Sequence, residues 1–256
     1  MIITSKDNTT IKEIKKLKEK KYRKEKFIVE GIKMIKEALQ HNADIELVVH
    51  SGKIDISSVG NILKQKNIKI IEVTENIFNT LTEVISPQGI LAVVEKNIDS
   101  KKIDYSNEFI LALDGIQDPG NLGTIIRTAD ATNLKQIIVS KDTVDTYSPK
   151  VIRSTMGAIF RVNVIEVENL SQELENMKKE GFKIITTSLQ TNKSMYDIDY
   201  KKSVVVIGNE ANGVSEEVYK IANEKVKIPM PGKAESLNAS VAAGVMMYEY
   251  VRQNLK

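Results

Sequence analysis

Apolar residues along this chain gather in short, largely β-branched runs that close on glycine, proline or a charged turn, and between the runs the spacing becomes helical. Thr10 to about Lys20 predicts a basic helix with Ile11, Ile14 and Leu17 on one side. Phe27-Ile28-Val29-Glu30-Gly31 predicts a short strand stopped by glycine, followed by a helix over Ile32–His41. Strand Ile45–Val49, helix Ile62–Gln65, strand Lys69–Val73 and a helix from Glu75 come next. After a loop, Ser86-Pro87-Gln88-Gly89, strand Ile90–Val94 closes this series. Such alternation predicts a compact α/β unit over residues 1–95. Residues 96–107 are charged and lack periodicity, which predicts a linker.

A second series fills residues 108–256. Its predicted strands are Phe109–Leu113, Gln136–Val139, Val162–Val167, Lys183–Thr187, Val204–Ile207 and Val226–Ile228. Helices are predicted through Ile125–Ala129, from Ser148-Pro149 (an N-cap with proline at the first helical position), over Leu170–Glu180, from Ser215, and at the end of the chain. The last of these carries small residues at Ala239, Ala242, Ala243 and Gly244. Six strands alternating with helices predict a mostly parallel sheet covered on both faces. No internal repeat or low-complexity tract interrupts either series.

Two strand ends stand out. The run 204–207 stops at Gly208-Asn209-Glu210-Ala211-Asn212-Gly213, and the run 226–228 stops at Pro229-Met230-Pro231-Gly232, followed by Lys233 to Ser240. Either loop alone reads equally well as an ordinary turn. Two of them, each at a strand end and close in sequence, predict a shared pocket, because open α/β sheets bind ligands at their strand ends. Prolines would stiffen one wall, and Gly208, Gly213 and Gly232 would let a ligand approach the backbone closely.

Composition narrows the chemistry. The 256 residues include no cysteine and only two histidines, His41 and His50, both far in sequence from these loops. That removes thiolate chemistry and argues against a cysteine or histidine metal site or a Ser-His-Asp triad. The sequence has no run approaching a membrane span and no signal-peptide pattern, so a cytoplasmic location is expected. Residues 1–36 hold twelve Lys/Arg against five acids, a cluster that reads either as a solvated helix face or as a phosphate-contacting surface. The loop after Leu113 has neither the G-x-G-x-x-G order of a dinucleotide fold nor the G-K-[ST] of a P-loop. Asp114 and Asp118 lack a supporting carboxylate cluster, so no metal is expected. Asn121 and Arg127, on the first turns of a helix, form a polar pair suited to a phosphate or ribose oxygen.

Three segments together resemble the SpoU-type RNA 2′-O-methyltransferases, the TrmH family. They are Asp118-Pro119-Gly120-Asn121-Leu122-Gly123-Thr124-Ile125-Ile126-Arg127-Thr128-Ala129, Ile207 to Val214, and Ile228-Pro229-Met230-Pro231-Gly232 through Glu235-Ser236-Leu237-Asn238-Ala239-Ser240. The first unit is similar to that family's amino-terminal RNA-binding domain through residues 27–31 and 86–90. The resemblance implies an α/β trefoil knot (SPOUT) catalytic domain beside a smaller α/β RNA-binding domain, the knot being a rare exception to unknotted topology. It implies S-adenosylmethionine as cofactor, with Gly208, Ile228 and Leu237 around the adenosine portion and Met230 and Ser236 lining the same pocket. Thr187, Ser188 and Leu189 are expected to approach the cofactor. It also implies a homodimer that brings one protomer's first motif to its partner's cofactor loops.

By the same resemblance Arg127 activates the ribose hydroxyl. A guanidinium is a poor base, so fixing the adjacent phosphate and stabilising the developing alkoxide is the other reading. Glu210 would accept a proton or orient Arg127. Asn238 would face the hydroxyl or simply cap the last helix. The expected substrate is 23S ribosomal RNA, because a whole amino-terminal unit suits a structured RNA region. The alternatives are transfer RNA and, from another class, a non-catalytic RNA-binding or ribosome-assembly factor on the same fold.

Overall fold

The computed structural model describes residues 2–96 and 102–254, so part of the expected linker, 97–101, lies outside the described residues. The chain divides into two compact units, one holding residues 2–96 with 147–160, the other 102–146 with 161–254.

The first unit is a five-stranded sheet built from β1 (Ile2–Ile3), β2 (Lys26–Glu30), β3 (Ile45–Ser51), β4 (Lys69–Val73) and β5 (Ile90–Glu95), in the order β1-β4-β3-β5-β2. The pairs β1–β4 and β3–β4 are parallel, whereas β5 runs antiparallel to both β2 and β3. Successive side chains along a strand point to opposite faces, and the core divides accordingly. Phe27, Val29, Ile90, Ala92 and Val94 face α2 (Ile32–Gln40) and α3 (Ser57–Gln65), while Ile28, Leu91 and Val93 face α1 (Thr9–Lys16) and α4 (Glu75–Leu81). Both faces are covered, which is why these strands read as unbroken apolar runs. The two segments singled out in this unit meet: Gln88 Oε1 accepts from the Ile32 N–H at 3.1 Å, and Gly31 N–H donates to Ile90 O at 2.9 Å. Gly31 has φ +96°, a conformation that favours glycine, and a Cβ there would lie 3.1 Å from Gln88 Oε1, so the Gln88 side chain would have to give.

The helix opened by Ser148 and Pro149, α6 (Pro149–Thr155), belongs to this first unit and not to the second series from which its sequence comes. Ile152 joins the core on the Phe27 face, and the Tyr147 ring lies 4.8 Å from that of Phe27.

The second unit is a six-stranded sheet of β6 (Phe109–Asp114), β7 (Gln136–Ser140), β8 (Asn163–Val167), β9 (Lys183–Thr187), β10 (Ser203–Gly208) and β11 (Glu224–Val226). The order is β11-β9-β10-β6-β7-β8 and every pairing is parallel. Ile110, Ala112, Val204 and Val206 pack against α7 (Leu170–Lys179) and α8 (Glu216–Ile221). The alternate residues Leu111, Leu113, Val205 and Ile207 face the side covered by α5 (Pro119–Ala131) and α9 (Ala239–Asn254). Because all six strands run the same way, β6, β9, β10 and β11 release their loops at one edge of the sheet.

Several predicted boundaries move. The first helix stops at Lys16, and α3 begins at Ser57, five residues before Ile62. The last strand ends at Val226: its partner β9 ends at Thr187, so Lys227 bridges to Ser194 and Ile228 lies beyond the ladder.

Helices α5 and α9 approach closely at Gly244, where a Cβ would meet Thr128 Cγ2 at 3.7 Å, ordinary contact distance. Gly244→Ala should therefore be accommodated and gain up to about 1 kcal/mol from helix propensity. Gly244→Val should force the helices apart and cost ~1–3 kcal/mol. Thermal unfolding of the two variants should shift in opposite directions.

Candidate active site

The edge where β6, β9, β10 and β11 end carries the predicted loops, and a chain of side-chain hydrogen bonds joins three of them. Asn121 sits in the first turn of α5, whose N-cap Asp118 accepts from the Asn121 N–H at 2.9 Å, with Pro119 at the first helical position. This fixes the Asn121 side chain at the helix mouth. Its Nδ2 donates to Glu210 Oε1 at 2.8 Å, and its Oδ1 accepts from Asn238 Nδ2 at 2.9 Å. Residues 89 and 117 positions away in sequence thus meet on one amide.

Each flanking residue is held in turn. Asn238 Oδ1 accepts from Ser240 N–H at 2.9 Å and Val241 N–H at 3.3 Å, capping α9. It therefore caps the helix, the simpler of its two expected roles, and its amide also reaches Asn121. Burial pushes the Glu210 carboxyl up, but hydrogen bonds from Asn121 and from backbone N–H groups of Glu210, Gln117 and Asp118 outweigh it and hold the group below the ordinary carboxylate value. Glu210 is thus an anion at neutral pH and a weak base. It does not orient Arg127 within the chain, since its partners are those just named. Arg127 lies farther along α5, exposed, without a hydrogen bond or ion pair among the described residues.

The loop after β10 is shaped largely by Asn209, to which no separate role was expected. Asn209 Nδ2 donates to Gly115 O at 2.7 Å, while its Oδ1 accepts from the N–H groups of Ala211 and Asn212. Asn209 and Gly213 exchange backbone hydrogen bonds at 2.9 Å, folding the loop back over Gly208. A Cβ on Gly208 would fall 2.1 Å from the Gly213 carbonyl carbon, so no side chain fits. Asp114 Oδ2 accepts from Ser215 N–H at 2.7 Å, and Gln117 Nε2 reaches Asp142 O. Asp114 and Asp118 are thus acceptors for backbone N–H groups. Among the described residues no group of three or more His, Cys, Asp or Glu could hold a metal. Loop Asn and Gln residues have no periodicity to betray them; only their place beside the glycines could have drawn attention.

The residues expected near a cofactor gather at the same edge. Thr187 ends β9, with Oγ1 3.4 Å from Val206 O, and Ser188 N–H donates to Val226 O at 2.8 Å. Leu189, Ser236 and Leu237 are exposed, whereas Ile228 and Met230 are half-buried. Between Ile228 and Leu237 the backbone makes no hydrogen bond with the described residues. A stretch of main-chain donors and acceptors with no protein partner among the described residues fits a nucleoside recognised through backbone groups.

The sequence matches the SpoU rRNA methylase family over residues 108–248 and the MRM3-like substrate binding domain over residues 8–92. It is 32% identical over 249 residues to a 23S rRNA (guanosine(2553)-2′-O)-methyltransferase of Bacillus subtilis, covering 96% of this chain and 97% of that one. The AdoMet-bound rRNA methyltransferase from Sinorhizobium meliloti superposes with a TM-score of 0.87 at 32% identity, over 100% of this chain and 98% of that one. A TrmH/SpoU tRNA modifying enzyme of A. aeolicus is 34% identical but covers 60% of this chain and 78% of its own, with a TM-score of 0.53. The chain belongs to the SpoU rRNA methylase family, with its SPOUT α/β trefoil-knot fold. It is accordingly an S-adenosylmethionine-dependent RNA methyltransferase.

Two outcomes test this geometry. Gly208→Ala should weaken S-adenosylmethionine binding by at least about tenfold, ~1.4 kcal/mol, in calorimetric titration. Glu210 has a depressed pKa, so its stabilising contribution is present above the ordinary value of 4.5 and lost as pH falls through the lowered one. The difference in melting temperature between wild type and Glu210→Gln should be constant from neutral pH down to that ordinary value and close below it.

Proposed function

We propose that this protein methylates a ribose 2′-hydroxyl of ribosomal RNA, of the 23S class, with residues 1–95 engaging the RNA and residues 108–256 carrying out transfer. The observation that carries the reading is the Glu210–Asn121–Asn238 hydrogen-bond chain, which gathers all three motif segments into one polar cluster beside the glycine-walled loops. S-adenosylmethionine supplies an electrophilic sulfonium methyl. The protein's part is to orient the hydroxyl and stabilise charge on its oxygen as that oxygen takes the methyl, the C–S bond breaks to leave a neutral thioether and the hydroxyl proton passes to solvent water; orientation can contribute several kcal/mol.

Gly208, Ile228 and Leu237 would hold the adenosine portion, with Met230, Ser236, Thr187, Ser188 and Leu189 around it. Asn121 and Asn238 would position the ribose, and Glu210, a poor proton acceptor, would fix the Asn121 amide. Arg127 enters as a cation and would bind the neighbouring phosphate and stabilise the alkoxide. Its exposure and its distance along α5 from Asn121 suit action in a homodimer, where one protomer's first motif meets its partner's cofactor loops. Val241 and Tyr248 on α9 are 50% and 54% exposed and offer apolar surface for that contact.

Ribosomal RNA is favoured over transfer RNA because the likeness to rRNA methyltransferases spans both units, whereas the tRNA enzyme covers 60% of this chain. A cytoplasmic setting suits such a substrate, and among the described residues no helix is long and apolar enough to cross a membrane.

Incubation with unmodified ribosomal and transfer RNA and methyl-labelled cofactor, followed by mass-spectrometric mapping, should place the label on a 23S ribose. Label confined to transfer RNA would overturn the choice of substrate, and methylation of a base would overturn the chemistry. Arg127→Ala should keep cofactor affinity within about twofold and lose at least ~10²-fold in transfer rate, as for other lost oxyanion contacts.

A further inference from the structure

The basic cluster at the amino terminus divides into two groups. Two of its cations turn inward. Arg23 is 6% exposed and donates to Leu17 O at 2.7 Å, and Lys18 Nζ donates to Thr80 O at 2.7 Å and Thr82 O at 2.9 Å. They are neither a solvated face nor a phosphate surface; they pin the chain that leaves α1. Backbone bonds from Tyr22 N–H to Glu19 O and from Arg23 N–H to Lys20 O complete a short 3₁₀ turn over Lys20–Tyr22.

That pinned turn displays an aromatic ring. Tyr22 is 42% exposed although its neighbour Arg23 is buried. Lys21 Nζ lies 4.8 Å and Lys16 Nζ 5.7 Å from the ring centroid, and Lys20 and Lys24 are exposed beside it in sequence. An aromatic ring on a fixed turn among lysines has the makings of a stacking site for single-stranded nucleic acid: a π-face for a base and cations for the phosphates on either side.

We propose that Tyr22 is the platform on which an unpaired base of the RNA substrate stacks, with Lys16, Lys20, Lys21 and Lys24 drawing in the flanking phosphates. This rests on the RNA-methyltransferase reading and adds to it how the amino-terminal unit selects looped or bulged RNA over continuous duplex. Bases inside an A-form helix are closed to such a ring, whereas splayed bases are not. Tyrosine has few rotatable bonds and the turn is already fixed, so little freedom is lost on contact. The lysines above the ring do not block it: an exposed cation–π contact is weaker than base stacking on the same ring, Lys16 gains a phosphate partner when it moves aside, and Lys21 exchanges its exposed ion pair with Glu19, at 2.9 Å, for one.

Binding of the full-length protein to a fluorescently labelled hairpin with an unpaired loop, and to a blunt duplex of the same stem, measured by anisotropy across a salt series, tests this. Tyr22→Ala should weaken loop binding about tenfold without changing the dependence of log Kd on log salt, and leave duplex binding as it was. Tyr22→Phe should bind like wild type, since stacking needs the ring and not the hydroxyl. Lys20→Gln and Lys24→Gln should each reduce the salt slope, by about 0.7 for single-stranded contact. Equal loop affinity of wild type and Tyr22→Ala, or an equal loss on loop and duplex, would overturn the platform while leaving the methyltransferase reading intact. Wild-type protein that binds neither RNA would overturn the platform and, with it, the proposed RNA-engaging role of residues 1–95.

Discussion

One side-chain amide holds the candidate site together. Asn121 donates to Glu210 and accepts from Asn238, so a loop after the central strand and the start of the last helix are each tied by one hydrogen bond to the same helix mouth. Asp118 and Pro119 shape the helix mouth, and the Asn209–Gly213 reversal shapes the loop. The arrangement depends on an all-parallel sheet, because only parallel strands deliver the ends of β6, β9, β10 and β11 to one edge.

The electrostatics of the cluster follow from that geometry. A carboxylate surrounded by backbone N–H groups and an amide is stabilised as the anion, so Glu210 serves as a fixed acceptor better than as a proton carrier. Among the described residues, the cation of the first motif is left without a carboxylate from the same chain. Its candidate neighbour one turn on, Asp130, is held by Arg161 through bonds of 3.0 Å from Nε to both carboxylate oxygens.

Much of the fold is legible in the sequence, for physical reasons that vary by element. Strand β4 and helix α2 are bounded by clear changes of period and by Gly31. Helix α3 is misplaced because its first turn, Ser57-Ser58-Val59-Gly60, offers one apolar residue to mark the period. The two-residue β1 carries no pattern and exists through its pairing with β4. Residues 226–228 read as a strand, yet the ladder ends where β9 ends, a fact about the partner that no local pattern contains. The site was legible as three segments but not as a wiring order. That Asn238 would both cap α9 and reach Asn121, or that Arg23 would be buried, depends on what lies opposite in space.

The unpaired backbone from Ile228 to Leu237 has a consequence for how this site changes over time. Under the proposed recognition by main-chain groups, the loop is asked for a shape and not for particular side chains, so related proteins could drift widely along it and keep the same small-molecule partner. The prolines and glycines that set its path, and the amide that anchors its far end, are where such drift should stall.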